Sequence, residues 1–326
     1  MPEISVIIPT YKRPQSLVQT LESLREQEFK DFEVVVVDNA ASPETQAAAD
    51  DFAKRSPYPV RCLPHPHGGS SGARNHGVRN ARSELLVFTD DDVSPAPAWL
   101  AAYRQRFLEQ PGMLVSGGRV VPLWESPPPP WLLDYISGNW YFGPYALMDQ
   151  GREFFTGPDV WFFSCNMAIR SQVFSWTGFH PEMYGGKTVG DGESGLFADI
   201  VKAGGCIGYA PEALVRHRIG TARMTPAYLR RWAWHLGGCL MFQKWRGRAR
   251  TPGALLREAL GIVRAFGGSW LKSALSPEGL DRRRIDLGCR AEEGRCRLAY
   301  VLWMLRRDPL VVEALDMKDF AVRPGR

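Results

Sequence analysis

The sequence lacks the local patterns of a disulfide-stabilised, zinc-binding or membrane-spanning protein. Its six cysteines, at positions 62, 165, 206, 239, 289 and 296, are scattered and form no Cys-x-x-Cys pair, which indicates reduced thiols and no zinc site. No uncharged apolar run reaches the ~18–20 residues that span a bilayer. Met1 is followed by Pro2, Glu3 and a strand-like run rather than the regions of a signal peptide, so we expect a cytoplasmic protein.

Several common catalytic and binding motifs are also missing. There is no G-x-x-x-x-G-K-[ST] sequence, which excludes a P-loop ATPase, and no Ser-His-Asp or Cys-His signature of a covalent nucleophile. GDGESG (190–195) has the spacing G-x-G-x-x-G, but no strand precedes it and two acids inside it would repel a pyrophosphate. We therefore reject a dinucleotide site there. No nucleic-acid-binding motif is present, so no nucleic-acid partner is expected.

Charge is distributed unevenly along the 326 residues. Residues 1–222 carry 19 Lys and Arg against 25 Asp and Glu, whereas residues 223–326 carry 21 against 10. This asymmetry predicts an acidic body at 1–222 and a basic extension at 223–326 that meets something anionic.

The extension is predicted to be helical, because Thr225-Pro226 and Thr251-Pro252 are typical of a cap followed by the first helical residue. The basic segments KWRGRAR (244–250) and LAYVLWMLRR (298–307) place cations beside apolar helix faces. Two interpretations stay open: helices lying on an anionic membrane, or helices packed on the body with a solvated basic face.

The body shows an alternation of strand and helix patterns. ISVIIP (4–9) and FEVVVVD (32–38) predict buried strands, and the second is apolar on both faces, as in interior parallel strands. Between them, an amphipathic helix follows Pro14. The pattern continues with helices at 43–55, 74–82 and 95–112 and strands at 60–63, 84–89 and 113–121. It predicts a doubly wound α/β sheet flanked by helices.

LLVFTDDDVSP (85–95) runs from a predicted buried strand into Asp90, Asp91 and Asp92. Carboxylates this close raise one another's pKa, so a place near the core requires a positive partner. Ligands of open α/β sheets bind beyond the carboxyl ends of strands, so we expect these acids and Asp38, which ends the second strand, to face one crevice. A divalent cation there would be held by carboxylates and phosphates. The alternative is an acidic helix N-terminus, capped by an aspartate.

Seven segments in order resemble family 2 glycosyltransferases of the GT-A fold, over roughly residues 3–240. They are VIIPTYKRP, VVVVDNA, GGSSGARNHG, LVFTDDDV, CNMAIRSQVF, GDGESGLFADIVKAGG and YAPEALVRH. The resemblance implies a mixed α/β sheet of the GT-A type, with a nucleotide-binding half at 1–112 and an acceptor-side half at 113–222.

The activity implied by the resemblance is inverting transfer of a sugar from a nucleotide-diphosphate donor, expected to be of the UDP type. The acceptor would be a sugar or a lipid-linked sugar, in polysaccharide or glycoconjugate synthesis. The family uses a divalent metal, Mn²⁺ or Mg²⁺, held by an Asp-x-Asp element. If the basic extension binds lipid, the enzyme is expected on the inner face of the membrane.

The resemblance also carries over site residues. Those expected at the nucleotide-sugar are Pro9, Thr10, Tyr11, Arg13, Asp38, Arg74, Asn75, Asp90 and Asp91. Among them, Asp38 would contact the base and Asp90 the ribose or sugar. Asp92 would bind the metal, together with His217, although a lone histidine at a strand end is otherwise a structural residue.

The catalytic base is where this chain departs from the family pattern. The family reads Glu-Asp ahead of a helix that ends in Ala-Gly. Counting back from Ala203 puts Glu193 at the usual Asp position and Gly192 at the usual Glu, with Asp191 one step upstream. Glu193 is therefore the predicted base and Asp191 its competitor.

Two other functions compete with glycosyl transfer. A sugar-1-phosphate nucleotidyltransferase would have a Gly-rich basic loop after the first strand, but PTYKRPQ contains no glycine. An inactive binding module on the same fold is disfavoured by the intact acids at 90, 92 and 193. The acceptor is predicted to contact the aromatic-rich segment 122–165, although many of these rings are expected in the core.

Overall fold

The structure, a computed structural model, describes residues 1–66, 69–157, 160–184, 187–188, 190–276 and 279–322. The strands are β1 (Ile4–Thr10), β2 (Phe32–Asp38), β3 (Val60–Pro64), β4 (Leu85–Thr89), β5 (Val93–Pro95), β6 (Met113–Trp124), β7 (Tyr141–Phe142), β8 (Leu147–Met148), β9 (Phe155–Thr156), β10 (Asn166–Arg170), β11 (Met183–Tyr184), β12 (Lys187–Thr188) and β13 (Cys206–Ile219).

The α-helices are α1 (Pro14–Leu24), α2 (Pro43–Arg55), α3 (Gly69–Asn80), α4 (Trp99–Glu109), α5 (Pro130–Ile136), α6 (Gly192–Lys202), α7 (Pro226–Trp245), α8 (Pro252–Leu275), α9 (Arg282–Leu305) and α10 (Pro309–Asp316). Short 3₁₀ helices occupy Gly143–Tyr145, Ser171–Ser175 and Thr221–Arg223.

The main sheet has the strand order β3-β2-β1-β4-β10-β6-β13-β5. β1, β2, β3 and β4 are parallel, whereas β10 runs antiparallel to both of its neighbours, β4 and β6. All seven residues of β1 and of β2 are buried, because strands inside a parallel sheet are covered on both faces. The predicted mixed α/β sheet flanked by helices is therefore confirmed.

The sheet brings distant strand ends to one edge. Thr10 at the end of β1 pairs in register with Asp38 at the end of β2. β4 ends one residue before Asp90, so the three aspartates extend past the same edge. β13 then passes beside β5, where His217 lies opposite Val93.

Helix α3 lies close against this sheet. A Cβ atom added at Gly77 would come within 2.5 Å of Ile7 Cγ2, so the glycine permits the helix to approach β1. This close packing fixes the position of Arg74, one turn earlier in the same helix.

Two predicted helix starts are wrong, since α3 begins at Gly69 rather than at residue 74 and α4 begins later than residue 95. The segment 95–112 was expected to be helical throughout, but α4 begins only at Trp99. Val93–Pro95 instead forms β5 against β13, and the amide of Ala96 donates to the carbonyl of Leu214. Tertiary pairing to a strand more than 100 residues away thus overrides the local helix pattern.

The C-terminal part is helical, as predicted. Thr225 and Thr251 cap α7 and α8, with side-chain oxygens that accept from the amides of Tyr228 and Ala254. α9 packs against both α7 and α8. Among the described residues, no helix combines the length and apolarity required to cross a bilayer.

Asn166, the first residue of β10, ties the sheet to α4. Its buried amide nitrogen donates to the carbonyls of Arg119 and Ala213, at 2.8 and 2.7 Å. Its amide oxygen accepts from Trp99 Nε1 and the Tyr103 hydroxyl, both at 2.7 Å. Both N–H donors and both acceptor positions of this side-chain amide are therefore used.

We expect Asn166→Ala to lower the free energy of unfolding by about 3 to 4 kcal/mol, because it leaves several buried polar groups without a partner. Urea unfolding measures this loss. Asn139→Ala is the matched control, since Asn139 is exposed and should change stability by less than about 0.5 kcal/mol. Equal losses in the two variants would contradict the structural role of Asn166.

Candidate active site

A cavity of about 730 Å³ borders the ends of β1 and β4. The residues predicted from sequence that line it are Pro9, Thr10, Tyr11, Arg13, Arg74, Asp90, Asp191 and Glu193. The sheet edge, α3 and the start of α6 thus supply one shared space, which Asp90 reaches and Asp38 does not.

The three consecutive aspartates point in different directions. Asp90 lines the cavity and accepts from Arg74 Nη2 at 2.6 Å. Asp91 is completely buried, and its Oδ2 accepts from the Thr10 hydroxyl at 2.6 Å while Oδ1 lies 2.5 Å from Arg13 Nη2. Burial raises the pKa of Asp91 to about 7, against the lowering effect of Arg13.

Asp92 lies among three cationic or ionisable partners. Its oxygens are 3.0 Å from Arg13 Nη1, 3.3 Å from Arg223 Nη1 and 3.3 Å from His217 Nε2. Burial alone would raise its pKa, but these partners outweigh burial and hold the pKa of Asp92 well below its usual range. Asp92 therefore stays ionised.

His217, on β13, is oriented by the backbone. Its Nδ1 lies 2.6 Å from the carbonyl oxygen of Tyr145, so the protonated Nδ1 donates there and Nε2 faces Asp92. The two side chains predicted to bind a metal are thus neighbours. In the part of the chain that the structure describes, no three His, Cys, Asp or Glu side chains converge on a metal position.

Arg218 stabilises the aspartate loop from beneath, which the sequence analysis did not identify. Its Nη2 donates to the carbonyl of Asp91 at 2.8 Å and to the Thr20 hydroxyl at 2.7 Å, and its Nη1 donates to the Ser94 hydroxyl at 2.8 Å. Its position next to the predicted site residue His217 could have identified it. Successive side chains of a strand point to opposite faces of the sheet, so Arg218 reaches the aspartate loop from the face opposite His217.

Three predicted nucleotide contacts lie outside the lining, namely Asp38, Asn75 and the buried Asp91, and so do the predicted metal residues Asp92 and His217. Both oxygens of Asp38 accept backbone amides, from Ala40 at 2.9 Å and Ser42 at 2.6 Å, so this side chain shapes the loop after β2. The side-chain amide of Asn75 bonds both backbone groups of Phe179. Gly68 of the glycine-rich segment lies outside the described residues. The roles of Asp38 and Asn75 at a nucleotide stay predictions.

Glu193 lies in the first turn of α6 and faces the cavity. Gly192 starts this helix with φ +54°, a conformation that glycine adopts without strain. Glu193 Oε2 accepts the backbone amide of Ser164 at 2.6 Å, and the Ser164 side chain also hydrogen-bonds this carboxylate. Burial raises the pKa of Glu193, although Arg74 opposes this. A carboxylate that lines the cavity and has a raised pKa is suited to accept a proton.

Asp191 is held by a histidine. Its Oδ1 lies 2.9 Å from His180 Nδ1, and His180 Nε2 lies 3.0 Å from Asp199 Oδ2. Phe320 stacks on the same imidazole, with ring centroids 3.8 Å apart. Burial would lower the pKa of His180, but its two carboxylate partners raise it. Asp191 is therefore paired with an ionisable side chain, His180, whereas the hydrogen-bond partner of Glu193 is Ser164.

Other cavity residues were missed from sequence. Glu182 lines it and accepts from the Ser70 hydroxyl at 2.5 Å. Helix α7, which lies beyond the predicted boundary at 222, contributes Trp232, His235, Leu236, Cys239, Leu240 and Gln243. From the aromatic-rich segment 122–165, the rings in the lining are Tyr141, Trp161 and Phe163. Only tertiary packing brings α7 to these rings.

Sequence comparison relates the chain to enzymes of glycan synthesis. A family model described as Glycosyl transferase family 2 matches residues 5–177, more than half of the chain. Succinoglycan biosynthesis protein ExoM of Rhizobium meliloti (strain 1021) is 28% identical over 232 residues, 69% of this chain and 70% of that protein. The GalNAc(5)-diNAcBac-PP-undecaprenol beta-1,3-glucosyltransferase of Campylobacter jejuni is 33% identical over 93 residues, 28% of this chain and 30% of that protein.

The fold has a counterpart among solved structures. Mannosyltransferase PcManGT from Pyrobaculum calidifontis, in complex with GDP-Man and Mn²⁺, matches with a TM-score of 0.60 at 19% identity. The match covers 93% of this chain and 88% of that chain, and at this identity it shows the fold alone. The predicted GT-A type of α/β fold is thereby confirmed.

Proposed function

The chain belongs to glycosyl transferase family 2 and is a glycosyltransferase of glycan biosynthesis, and from that premise we propose an inverting, metal-dependent transfer from a nucleotide-diphosphate sugar to an acceptor hydroxyl. The observation that carries the proposal is that one cavity contains the Arg74–Asp90 pair and the Glu193 carboxylate, and that Arg13 in the same lining pairs with Asp92. Such a site combines cationic groups for a diphosphate with a base for the acceptor.

The donor is proposed to lie along the ends of β1 and β4. Thr10 and Tyr11 line this part of the cavity, and the guanidinium groups of Arg13 and Arg74 are suited to phosphate oxygens. UDP is the nucleotide we expect. GDP is the second one to test, because the mannosyltransferase that shares the fold binds GDP-Man.

Asp92 and His217 fit the proposed Mn²⁺ or Mg²⁺ site. Nδ1 of His217 is directed at the carbonyl oxygen of Tyr145, so Nε2, which lies 3.3 Å from Asp92 Oδ1 and 3.1 Å from Arg223 Nη1, is the nitrogen that would hold the ion together with Asp92. Few protein ligands are needed, since such ions complete their shell with water and substrate phosphates. When bound, the ion would supply positive charge that stabilises the leaving diphosphate.

Glu193 is proposed to act as the general base. The hydrogen bond from the Ser164 backbone amide positions the carboxylate, which would take the proton of the acceptor hydroxyl as the hydroxyl oxygen attacks the anomeric carbon and the diphosphate leaves. Inversion requires one displacement and no enzyme nucleophile. The cavity supplies the proposed base and two arginines, and Arg13 connects it to Asp92 of the proposed metal site.

A lipid-linked acceptor at an anionic membrane surface is the finer proposal for the partner. The Campylobacter relative carries undecaprenol in its name. The outer side of α8 exposes an apolar stripe made of Leu256, Leu260, Val263, Leu271 and Leu275. Arg257, Arg264 and Lys272 are exposed on the same helix. Apolar side chains among cations fit a helix lying in an anionic lipid interface.

We predict that Glu193→Gln lowers turnover by about 10²-fold or more, the usual cost of removing a general base, with little change in nucleotide affinity. The glutamine oxygen can still accept the Ser164 amide, so the fold is preserved. Asp191→Asn should cost much less, because Asp191 contacts His180. The measurement is transfer rate for each variant, with nucleotide affinity by calorimetry.

The pH profile provides the control for this assignment. Since the pKa of Glu193 is raised, activity should fall with decreasing pH at a midpoint above the ordinary glutamate value of about 4.3. The glutamine variant should lose that limb. If Asp191→Asn abolishes transfer while Glu193→Gln does not, the roles of the two residues are exchanged.

Removing the metal should abolish transfer. We expect EDTA to stop turnover and added Mn²⁺ or Mg²⁺ to restore it, whereas Asp92→Ala should stay inactive at any metal concentration. Asp51→Ala, at an exposed aspartate of α2, is the matched control and should retain activity. Full turnover in EDTA, or in the Asp92 variant, would refute metal dependence.

Lipid binding is tested by flotation with liposomes that contain or lack phosphatidylglycerol. We expect flotation only with the anionic liposomes, and its loss in the double variant Leu260→Asp and Leu271→Asp, because charges would replace apolar contacts. Leu108→Asp, at an exposed leucine of α4, is the control and should still float. Flotation that is absent, or equal for all three proteins, would contradict the membrane proposal.

A further inference from the structure

The far wall of the active-site cavity is built from two separate parts of the chain. Tyr141, Trp161 and Phe163 come from the aromatic-rich segment, and Trp232, His235 and Gln243 come from α7. We propose that these six side chains, the acceptor wall, bind an uncharged pyranose ring of the acceptor. The inference rests on the proposed glycosyl transfer and names the substrate class at that site.

The aromatic rings of the acceptor wall are held in fixed orientations. Tyr141 and Phe163 stack with centroids 5.2 Å apart and an interplanar angle of 20°, and Trp161 stacks on Phe197 at 5.4 Å and 14°. Preorganised flat surfaces cost little entropy when a ligand packs on them. The C–H face of a pyranose is apolar and flat, so it fits such a surface.

Trp232 packs tightly against the backbone opposite α7. A Cβ atom added at Gly143 would lie 2.4 Å from Trp232 Cζ2, so the indole rests directly on this glycine. Trp232 therefore joins α7 to the aromatic segment and presents a large apolar surface to the cavity.

The polar groups of the acceptor wall are suited to sugar hydroxyls. His235 Nδ1 lies 2.9 Å from the Thr188 hydroxyl, which leaves Nε2 for a ligand. Burial lowers the pKa of His235, so the imidazole is neutral and can donate or accept. Gln243 adds an amide with both donor and acceptor atoms.

Charge in the cavity disfavours an anionic acceptor. Both arginines in the described lining, Arg13 and Arg74, are paired with aspartates of the 90–92 run. The remaining charged groups in that lining are the acids Glu182, Asp191 and Glu193. With Arg13 and Arg74 engaged by these aspartates and by the diphosphate of the proposed donor, a uronate or a phosphorylated sugar would bring a negative charge to the three carboxylates without a cation of its own, whereas a neutral pyranose would not.

The test measures sugar binding directly, by saturation-transfer NMR with UDP present. The probes are methyl glucopyranoside and methyl galactopyranoside as neutral rings and methyl glucuronide as the anionic one. We expect the wild-type protein to bind at least one neutral glycoside and to bind the glucuronide about tenfold more weakly or not at all. Trp232→Ala should weaken neutral-glycoside binding about tenfold, whereas Trp232→Phe should keep most of it.

Trp176→Ala, at an exposed tryptophan outside the cavity, is the matched control and should bind as the wild type does. Nucleotide affinity by calorimetry should be equal in all variants, which shows that the donor side is intact. Binding of the glucuronide as tight as that of the neutral glycosides, no glycoside binding by the wild type, or unchanged binding in Trp232→Ala would overturn the inference. Failure of donor turnover with glycoside binding intact would instead refute the proposed transferase chemistry.

Discussion

Three neighbouring carboxylates at the end of a buried strand require cations, and this requirement organises the active-site edge of the sheet. Arg13, Arg74 and Arg223 pair with these carboxylates, and Arg218 donates to the backbone carbonyl of Asp91. Their separation is large: Arg218 bonds the carbonyl of Ser16, 202 positions away. The site is therefore a product of the complete fold, since no local element could bring these charges together.

The same arrangement makes three chemically different groups from one residue type. Asp90 faces the cavity, Asp91 is buried against Thr10, and Asp92 faces His217. Burial raises the pKa of Asp91 to about 7, whereas its partners lower that of Asp92. Asp92 thus keeps its negative charge to lower pH than Asp91 does, which suits its proposed role as a ligand of a divalent cation.

The sequence predicted what local patterns determine. Apolar runs predicted the buried strands, Pro14 and Thr225 marked helix starts, and the strand ends predicted a crevice that Asp90 lines but Asp38 does not. It could not predict β5, because that strand exists only through pairing with β13. For the same reason the contributions of Arg218 and His180 were missed: each acts through partners that are distant in sequence, and no spacing rule identifies them.

The helical extension belongs to the active site as much as the sheet does. α7 lines the cavity with Trp232, and the residue at its end, Arg246, lies 3.4 Å from Asp199 and contacts His180. His180 in turn holds Asp191, two residues before Glu193. One helix therefore shapes the acceptor wall and supports the loop of the proposed base. The predicted domain boundary at 222 stays a prediction, but a cut there would remove groups that both functions depend on.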